Sequence, residues 1–476
     1  MTYTHEHLST YGHWIDGTTV PGQGGTNDVI NPATGETVAA VPAGTAADVD
    51  RAVASARAAL PGWAAVEPSD RAALLRRLAE ELTARNEDIA QAITAEMGAP
   101  IAFSRLGQAG FPALVTSATA ELESDVAWTE KVGNSVLVRE PVGVVGAITP
   151  WNFPLQQVMT KVAPALLAGN TIVLKPAELA PLSTRFLAEA VAAAGIPAGV
   201  FNVVYGSGSV VGEALVAHPD VDMISFTGST QAGRRISTVA ANTIKRVGLE
   251  LGGKSANIVL DDADIDSAVQ QTLVNSWTNA GQACGAWTRL LVPARRQAEI
   301  VQKLKAAAEQ YSVGDPTDES VRVGPLASEG QWERVNSYIE RGIADGATLV
   351  TGGPGRIPGL EHGAYIRPTI FADVDPNSVI AQEEIFGPVL SVIAYEDEDE
   401  AVSIANGTVY GLTGAVFGAQ DHALSIARRM EVGQVYINGA DFNPLAPFGG
   451  YKQSGTGREL GRAGVEEFTE VKAIQL

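Results

Sequence analysis

The chain reads as an α/β protein of two successive doubly wound domains, and three observations carry that reading. Beyond Val142, short apolar runs alternate with stretches of helical character, the pattern of strands in a parallel sheet covered on both faces. After residue 253 the alternation starts again with a second set. At 476 residues the chain also exceeds what one hydrophobic core covers, and length alone argues for about two to three domains.

Taken in order, residues 12–45 hold short extended segments with turn chemistry at Asp16-Gly17 and at Asn31-Pro32-Ala33-Thr34-Gly35, and are expected to form a surface layer. Thr45 is a suitable N-cap for a helix running to residue 60. Leu74, Leu75, Leu78 and Leu82 recur at helical spacing within 69–97, a stretch that stops at Gly98-Ala99-Pro100. The first strands are expected at 142–148, 171–174, 200–204 and 223–226, with helices after Pro154, Pro181, Val210 and Ser229. The second series is expected at 257–260, 289–292, 348–351, 389–395 and 433–437. Gly252-Gly253 stands between the two and reads as a hinge at a cleft.

The uncharged run 141–160 has the length of a membrane span. It also holds Pro141, Pro150, Pro154, Asn152, Gln156 and Gln157, whose polar groups a bilayer would leave unsatisfied, so no membrane partner is expected. Hydrophobic residues make up 45% and charged residues 18%, and the mean hydropathy is +0.07. That balance excludes a disordered polyelectrolyte. A formal charge of −21 and a pI of about 4.7 argue against nucleic acid, which asks for a basic face. The opening residues lack a basic stretch followed by an apolar one, and only one cysteine is present, so a reducing, cytoplasmic location is expected. The histidines His5, His7, His13, His218, His362 and His422 form no ligand-spaced set, and no metal is expected.

That one cysteine, Cys284, can form no disulfide within the chain. Taken alone it reads as a small core hydrophobe. Its surroundings, Gly281-Gln282-Ala283-Cys284-Gly285, leave the backbone free for close approach to a ligand and favour a nucleophile, which must then be activated by other residues. Asn152 is a neutral amide able to stabilise an oxyanion together with a backbone N–H, or else a cap for the helix after Pro154. Glu250 lies at a strand end beside two glycines, where partial desolvation lifts a carboxylate toward the range of a general base. The stretch Gly206-Ser207-Gly208-Ser209-Val210-Val211-Gly212 has one residue more than G-x-G-x-x-G between its second and third glycines, a weak dinucleotide signal on its own.

Four strand-end stretches carry these residues: Ile148-Thr149-Pro150-Trp151-Asn152-Phe153-Pro154, Leu174-Lys175-Pro176-Ala177-Glu178, Ser225-Phe226-Thr227-Gly228-Ser229 and Leu249-Glu250-Leu251-Gly252-Gly253-Lys254. Together with the cysteine stretch, Glu383-Glu384-Ile385-Phe386-Gly387-Pro388 and Pro447-Phe448-Gly449-Gly450, they resemble the aldehyde dehydrogenase superfamily, in the family's order and over essentially the whole chain.

The resemblance implies an NAD-dependent, non-acylating enzyme with Asn152, Glu250 and Cys284 as its catalytic residues. It implies a cofactor site formed by Ile148, Thr149, Pro150, Trp151, Lys175, Glu178, Gly208, Gly212, Phe226, Gly228, Ser229, Leu251, Glu384 and Phe386. Glu178 falls where the adenosine ribose is held; a carboxylate there accepts from both hydroxyls and repels a 2′-phosphate, favouring NAD over NADP. For the aldehyde the resemblance implies a mostly apolar pocket with Phe153, Gln157, Thr160, Phe442 and Phe448. No arginine stands in these stretches to hold a substrate carboxylate. The expected division is an NAD-binding domain of residues 1–123 and 142–252, a catalytic domain of 253–453, and a bridging element of 124–141 and 454–476 that joins a homodimer or homotetramer. Two alternatives remain open: a thiol hydrolase pairing Cys284 with a histidine, and a catalytically silent binding or structural relative.

Overall fold

The computed structural model describes residues 11–476; residues 1–10, on which the expectation about a leader rests, lie outside them. Both series of strands form. The first builds an eight-stranded sheet in the order Gly455–Thr456, Arg246–Glu250, Met223–Thr227, Val144–Ile148, Thr171–Lys175, Phe201–Val203, His13–Ile15, Thr18–Val20. The five strands from Arg246–Glu250 to Phe201–Val203 are parallel. Val144–Ile148 is where the order reverses, since the chain leaves it toward Phe201–Val203 on one side and returns to Met223–Thr227 on the other. In open parallel sheets ligands gather outside the carboxyl ends of strands at such a point, and Pro150-Trp151-Asn152 follows directly.

The second sheet runs Thr348–Thr351, Thr369–Ala372, Val389–Tyr395, Arg289–Pro293, Ala256–Val259, Thr413–Phe417, Gln434–Ile437. Two of these, Thr369–Ala372 and Thr413–Phe417, are additional to the expected five. They are short segments holding Ala or Gly, which give a weak strand signal. A third sheet of three strands sets Ser135–Pro141 between Thr129–Val132 and Thr469–Gln475. Among the described residues no helix is long and apolar enough to cross a membrane.

Three details differ from the sequence reading. The stretch 69–97 is two helices, Pro68–Ala84 and Asn86–Met97, broken at Arg85, whose guanidinium donates to the Glu81 carbonyl at 2.9 Å and satisfies one of the free carbonyls of the helix end. No Gly or Pro marks that break. The surface layer contributes His13–Ile15 to the first sheet, with His13 wholly buried. Gly455–Thr456, grouped from sequence with the bridging element, pairs with Arg246–Glu250 at the edge of the first sheet.

The helix after the switch point, Gln156–Leu167, is capped by nothing polar and buried on every side after its first residue. Leu166 and Leu167 are fully enclosed, and each such burial stabilises by about 1.5–3 kcal/mol. That anchoring fixes the turn bearing Asn152 and the helix face bearing Gln157, Thr160 and Lys161.

Candidate active site

Cys284 lies past the helix Ile265–Trp277 on a turn held in an uncommon conformation. Asn279 (φ 57°), Ala280 (φ 54°) and Gly281 (φ 71°) are all left-handed, at a cost of about 1–2 kcal/mol for each non-glycine residue. Polar contacts offset that cost. Asn279 Nδ2 donates to the Asn152 carbonyl at 2.8 Å, Gln282 Nε2 to the Asn279 carbonyl at 3.1 Å, and Gln282 Oε1 accepts from Ala327 N–H at 2.9 Å. Asn152 Nδ2 donates to the Gln282 carbonyl at 2.9 Å, so the asparagine and cysteine turns are tied in both directions. The expectation that Gly281 leaves room for a ligand is corrected here: a Cβ on it would lie 2.3 Å from the Gly387 carbonyl carbon, so the glycine lets two protein turns meet.

Two cavities meet at Cys284. One, of about 240 Å³, is lined by Pro150, Trp151, Asn152, Gly228, Ser229, Leu251, Glu384 and Phe386. The other, of about 380 Å³, is lined by Phe153, Gln157, Thr160, Phe442 and Phe448, with Trp287, Tyr436 and Asp441. No histidine among the described residues lines either one. Burial pushes the Cys284 thiol up to about 12, and Glu384 and Glu250 push in the same direction against one lowering hydrogen bond from Gly285 N–H. A thiol pushed up in this way reacts only with the help of a base or an added positive charge.

Glu250 ends its strand almost fully buried, with both carboxylate oxygens lacking a hydrogen-bond partner. Burial raises its pKa well above the usual carboxylate range; Glu459 adds to the rise and Lys161 opposes it. It lines neither cavity. Its Oε1 faces Gly449, where a Cβ would come within 2.7 Å, so only a glycine at this positive φ of 153° leaves the carboxylate its place.

The remaining predicted cofactor residues form a second group at the end of Thr171–Lys175. Lys175 Nζ donates to the Pro176 carbonyl at 2.9 Å, and burial lowers its pKa to about 8. Glu178 accepts from Gly208 N–H at 3.3 Å, and a Cβ on Gly212 would lie 3.9 Å from Lys175 Cδ. One on Gly208 would meet nothing within 4 Å, so the backbone there forms an open cradle. The Phe226 ring lies under Gly228, where a Cβ would come within 2.4 Å of Cζ. Ser229 Oγ caps the helix Thr230–Ala240 by accepting from Ala232 N–H at 3.2 Å, leaving first-turn N–H groups free for an anion. Ile148 is buried in the sheet, and buried Thr149 Oγ1 has no partner. Glu384 accepts from Gly253 N–H at 3.0 Å, and burial raises its pKa to about 7.

Several neighbours were not picked out from the sequence. Gln331 Nε2 donates to the Phe386 carbonyl and the Arg334 guanidinium Nη2 to the Glu384 carbonyl, each at 2.7 Å. They fasten a turn in which Phe386 has φ 64° and meets Trp151 edge-on at 5.3 Å. Lys161 is buried, ion-paired to Glu459 and bonded to Thr227 Oγ1 at 2.6 Å. A lysine inside the apolar stretch 155–167 was the available signal, since such a charge is buried only with a partner.

Comparison with known proteins gives a consistent result. A sequence model described as the aldehyde dehydrogenase family matches residues 19–474. The chain is 47% identical over 466 residues to a 3-succinoylsemialdehyde-pyridine dehydrogenase of a Pseudomonas species, covering 97% of each. It is similar to the crystal structure of a mutant aldehyde dehydrogenase C from Pseudomonas syringae with NAD+ and octanal, at 49% identity and a TM-score of 0.96, covering 98% of this chain and 96% of that one. It is also similar to an aldehyde dehydrogenase of Mycobacterium tuberculosis complexed with NAD+, at 44% identity and a TM-score of 0.96, covering 98% and 99%.

Proposed function

The chain belongs to the aldehyde dehydrogenase family and oxidises aldehydes with NAD, and from that premise we propose that it hands the acyl group to water, using Cys284, Asn152 and Glu250. The observation that carries the reading is Glu250: a buried carboxylate with both oxygens unpartnered, raised above the ordinary range and electrostatically in contact with Cys284. Transfer to a thiol acceptor needs no such base, whereas hydrolysis does.

The residues present suit the cofactor. The open backbone at Gly208, the free N–H groups after Ser229, the unpartnered Thr149 hydroxyl and the carboxylate of Glu178 match an elongated, phosphate-bearing ligand with ribose hydroxyls. Lys175 and Glu178 would hold the adenosine end, Gly228 and Ser229 the phosphates, and Glu384, Phe386 and Trp151 the end beside Cys284. Bound NAD supplies the acceptor for the hydride that leaves the aldehyde carbon.

The chain's own residues do the rest. Cys284 releases its thiol proton to solvent, helped by the positive charge of the bound cofactor, and Sγ attacks the carbonyl carbon; the oxygen that becomes negative is met by the second N–H of Asn152, whose first is held by the Gln282 carbonyl, and by the Cys284 N–H. In the thioester that follows, Glu250 turns from Gly449 toward Cys284 and takes a proton from water as it attacks. The carboxylic acid leaves and the thiol returns. Phe153, Gln157, Thr160, Phe442 and Phe448 enclose the aldehyde. Glu178 favours NAD over NADP. A homodimer or homotetramer is supported by the outer position of Thr469–Gln475 in its sheet, with Val471, Ile474 and Leu476 exposed. The single free cysteine supports the cytoplasm.

The deciding experiment is Glu250→Gln. One NADH per active site should appear in a burst, after which turnover falls by about 10²–10⁴-fold, the usual contribution of a positioned base. Mass spectrometry should then find an acyl group on Cys284. In the unmodified enzyme hydrolysis should quicken as pH rises through the raised Glu250 pKa, because only the deprotonated carboxylate accepts the proton; that limb should vanish in the variant. Turnover like the parent's, or strict dependence on coenzyme A, ends the proposal.

A further inference from the structure

The cavity beyond Cys284 has a charge pattern that its shape alone does not reveal. Two carboxylates line it, Asp441 and Glu459, and neither a lysine nor an arginine does. Glu459 is buried and neutralised by the ammonium of Lys161, itself buried and bonded to Thr227. Asp441 is exposed and, among the described residues, has neither a hydrogen bond nor an ion pair. The turn that follows satisfies itself without it: Asn443 Oδ1 accepts from Leu445 N–H at 2.9 Å, and the Asn443 carbonyl from Ala446 N–H at 3.1 Å. Next to Asp441, Phe442 meets Phe111 at 5.5 Å and Phe448 at 6.4 Å, so the lone charge stands beside an aromatic wall.

From this arrangement, and resting on the reading of this cavity as the aldehyde's, we infer that Asp441 is a charge filter. The site takes aldehydes whose far end is neutral or cationic and rejects those whose far end is a carboxylate. Two effects act together. An anionic tail drawn into the cavity meets amides, Gln157 and Asn275 among them, but no cation, and a buried unpaired charge is costly. It also meets Asp441 within the roughly 8 Å over which charges interact at physiological ionic strength, in a cleft whose apolar walls extend the reach of one charge beyond that in open water. A cationic tail meets the reverse of both.

Three probes of similar chain length test the inference on the whole enzyme with NAD: butanal, 4-oxobutanoate and 4-(trimethylammonio)butanal. The readout is the ratio of kcat/KM for each charged aldehyde to that for butanal. The parent should favour butanal over 4-oxobutanoate by about 10²-fold or more. Asp441→Asn removes the repulsion and should raise the 4-oxobutanoate ratio by about 3–10-fold, lowering the cationic ratio by a similar factor. Asp441→Arg adds the missing partner and should raise the anionic ratio by about 10–100-fold, with the gain shrinking in 0.5 M salt, as screened charges require. Glu309→Gln, a change of equal charge lining neither cavity, controls for the net charge of −21 and should move neither ratio. Equal use of butanal and 4-oxobutanoate by the parent overturns the filter. So does an anionic ratio unmoved by Asp441→Arg, or one moved equally by Glu309→Gln. If none of the three aldehydes yields NADH, it is the underlying reading of the site that fails.

Discussion

On the side of Cys284 lined by Trp151, Gly228 and Glu384, the walls are strand ends and the turns that follow them; on the side lined by Phe153, Phe442 and Phe448, they are side chains from well-separated stretches of the chain. The first wall offers backbone: free N–H groups after Ser229 and the glycines Gly228 and Gly252, with the open surface at Gly208 farther along and the turn of Cys284 seated by Gly281 against Gly387. Few sequences meet those demands, because a Cβ at Gly228 or Gly281 would collide with a ring or a carbonyl. The second wall asks only for side chains of suitable size and polarity, and many combinations fill about 380 Å³. The reaction is therefore more readily read from this chain than the aldehyde.

The largest effect should come from the residue the two cavities share. Cys284→Ala should lower turnover by about 10⁴-fold or more, as removal of a nucleophile does in other acyl-transfer enzymes, while NAD still binds with a dissociation constant within about threefold, measured by calorimetry. Binding lost together with activity would contradict this division, because it would mean that the backbone wall depends on the thiol.

Next in size is Asn152, which belongs to the backbone-built side yet serves the aldehyde's oxygen. Asn152→Ala should reduce kcat by about 10²–10³-fold, the usual consequence of losing one oxyanion donor. The Gln282 carbonyl would keep the weaker 3.3 Å bond from Asn279, so the cysteine turn should hold its shape. Alkylation of Cys284 by iodoacetamide reads this directly. An alkylation rate altered as much as kcat would show that Asn152 works by supporting the turn and not by meeting the oxyanion.

How far the sequence could be read follows the same division. Strands such as Val144–Ile148 and Met223–Thr227 were legible because a buried parallel strand is a nearly continuous apolar run, and ligands gather outside the carboxyl ends of such strands. Phe153, Gln157, Thr160, Phe442 and Phe448 were named only through resemblance, and the structure brings all five into one cavity with Cys284. What stayed hidden was pairing across distance. The ion pair of Lys161 with Glu459 spans 298 positions, and nothing local to either residue announces the other. The break at Arg85 lacks a Gly or Pro because a side chain of the same helix caps it. Gly455–Thr456 is too short to read as a strand, yet its pairing fixes the stretch that carries Glu459.

The smallest predicted effect tests the backbone wall at the one place where a side chain discriminates. Glu178 is exposed and accepts from Gly208 N–H at 3.3 Å, so its carboxylate lies beside the open cradle. With Glu178→Gln a ribose hydroxyl loses a charged acceptor, worth about 1 kcal/mol net, and a 2′-phosphate escapes repulsion of about 1 kcal/mol at a few ångströms in near-aqueous surroundings. The two changes act in opposite directions on NAD and NADP. The ratio of their kcat/KM values should therefore shift toward NADP by about 10- to 30-fold, with the larger part in KM. A larger loss, with NAD use falling by about 10³-fold, would mean that this wall is held by side chains after all and that the contrast with the aldehyde side is overstated. An unchanged ratio would mean that the preference for NAD is set elsewhere, with Lys175, buried behind Glu178 with a pKa lowered to about 8, the next residue to vary.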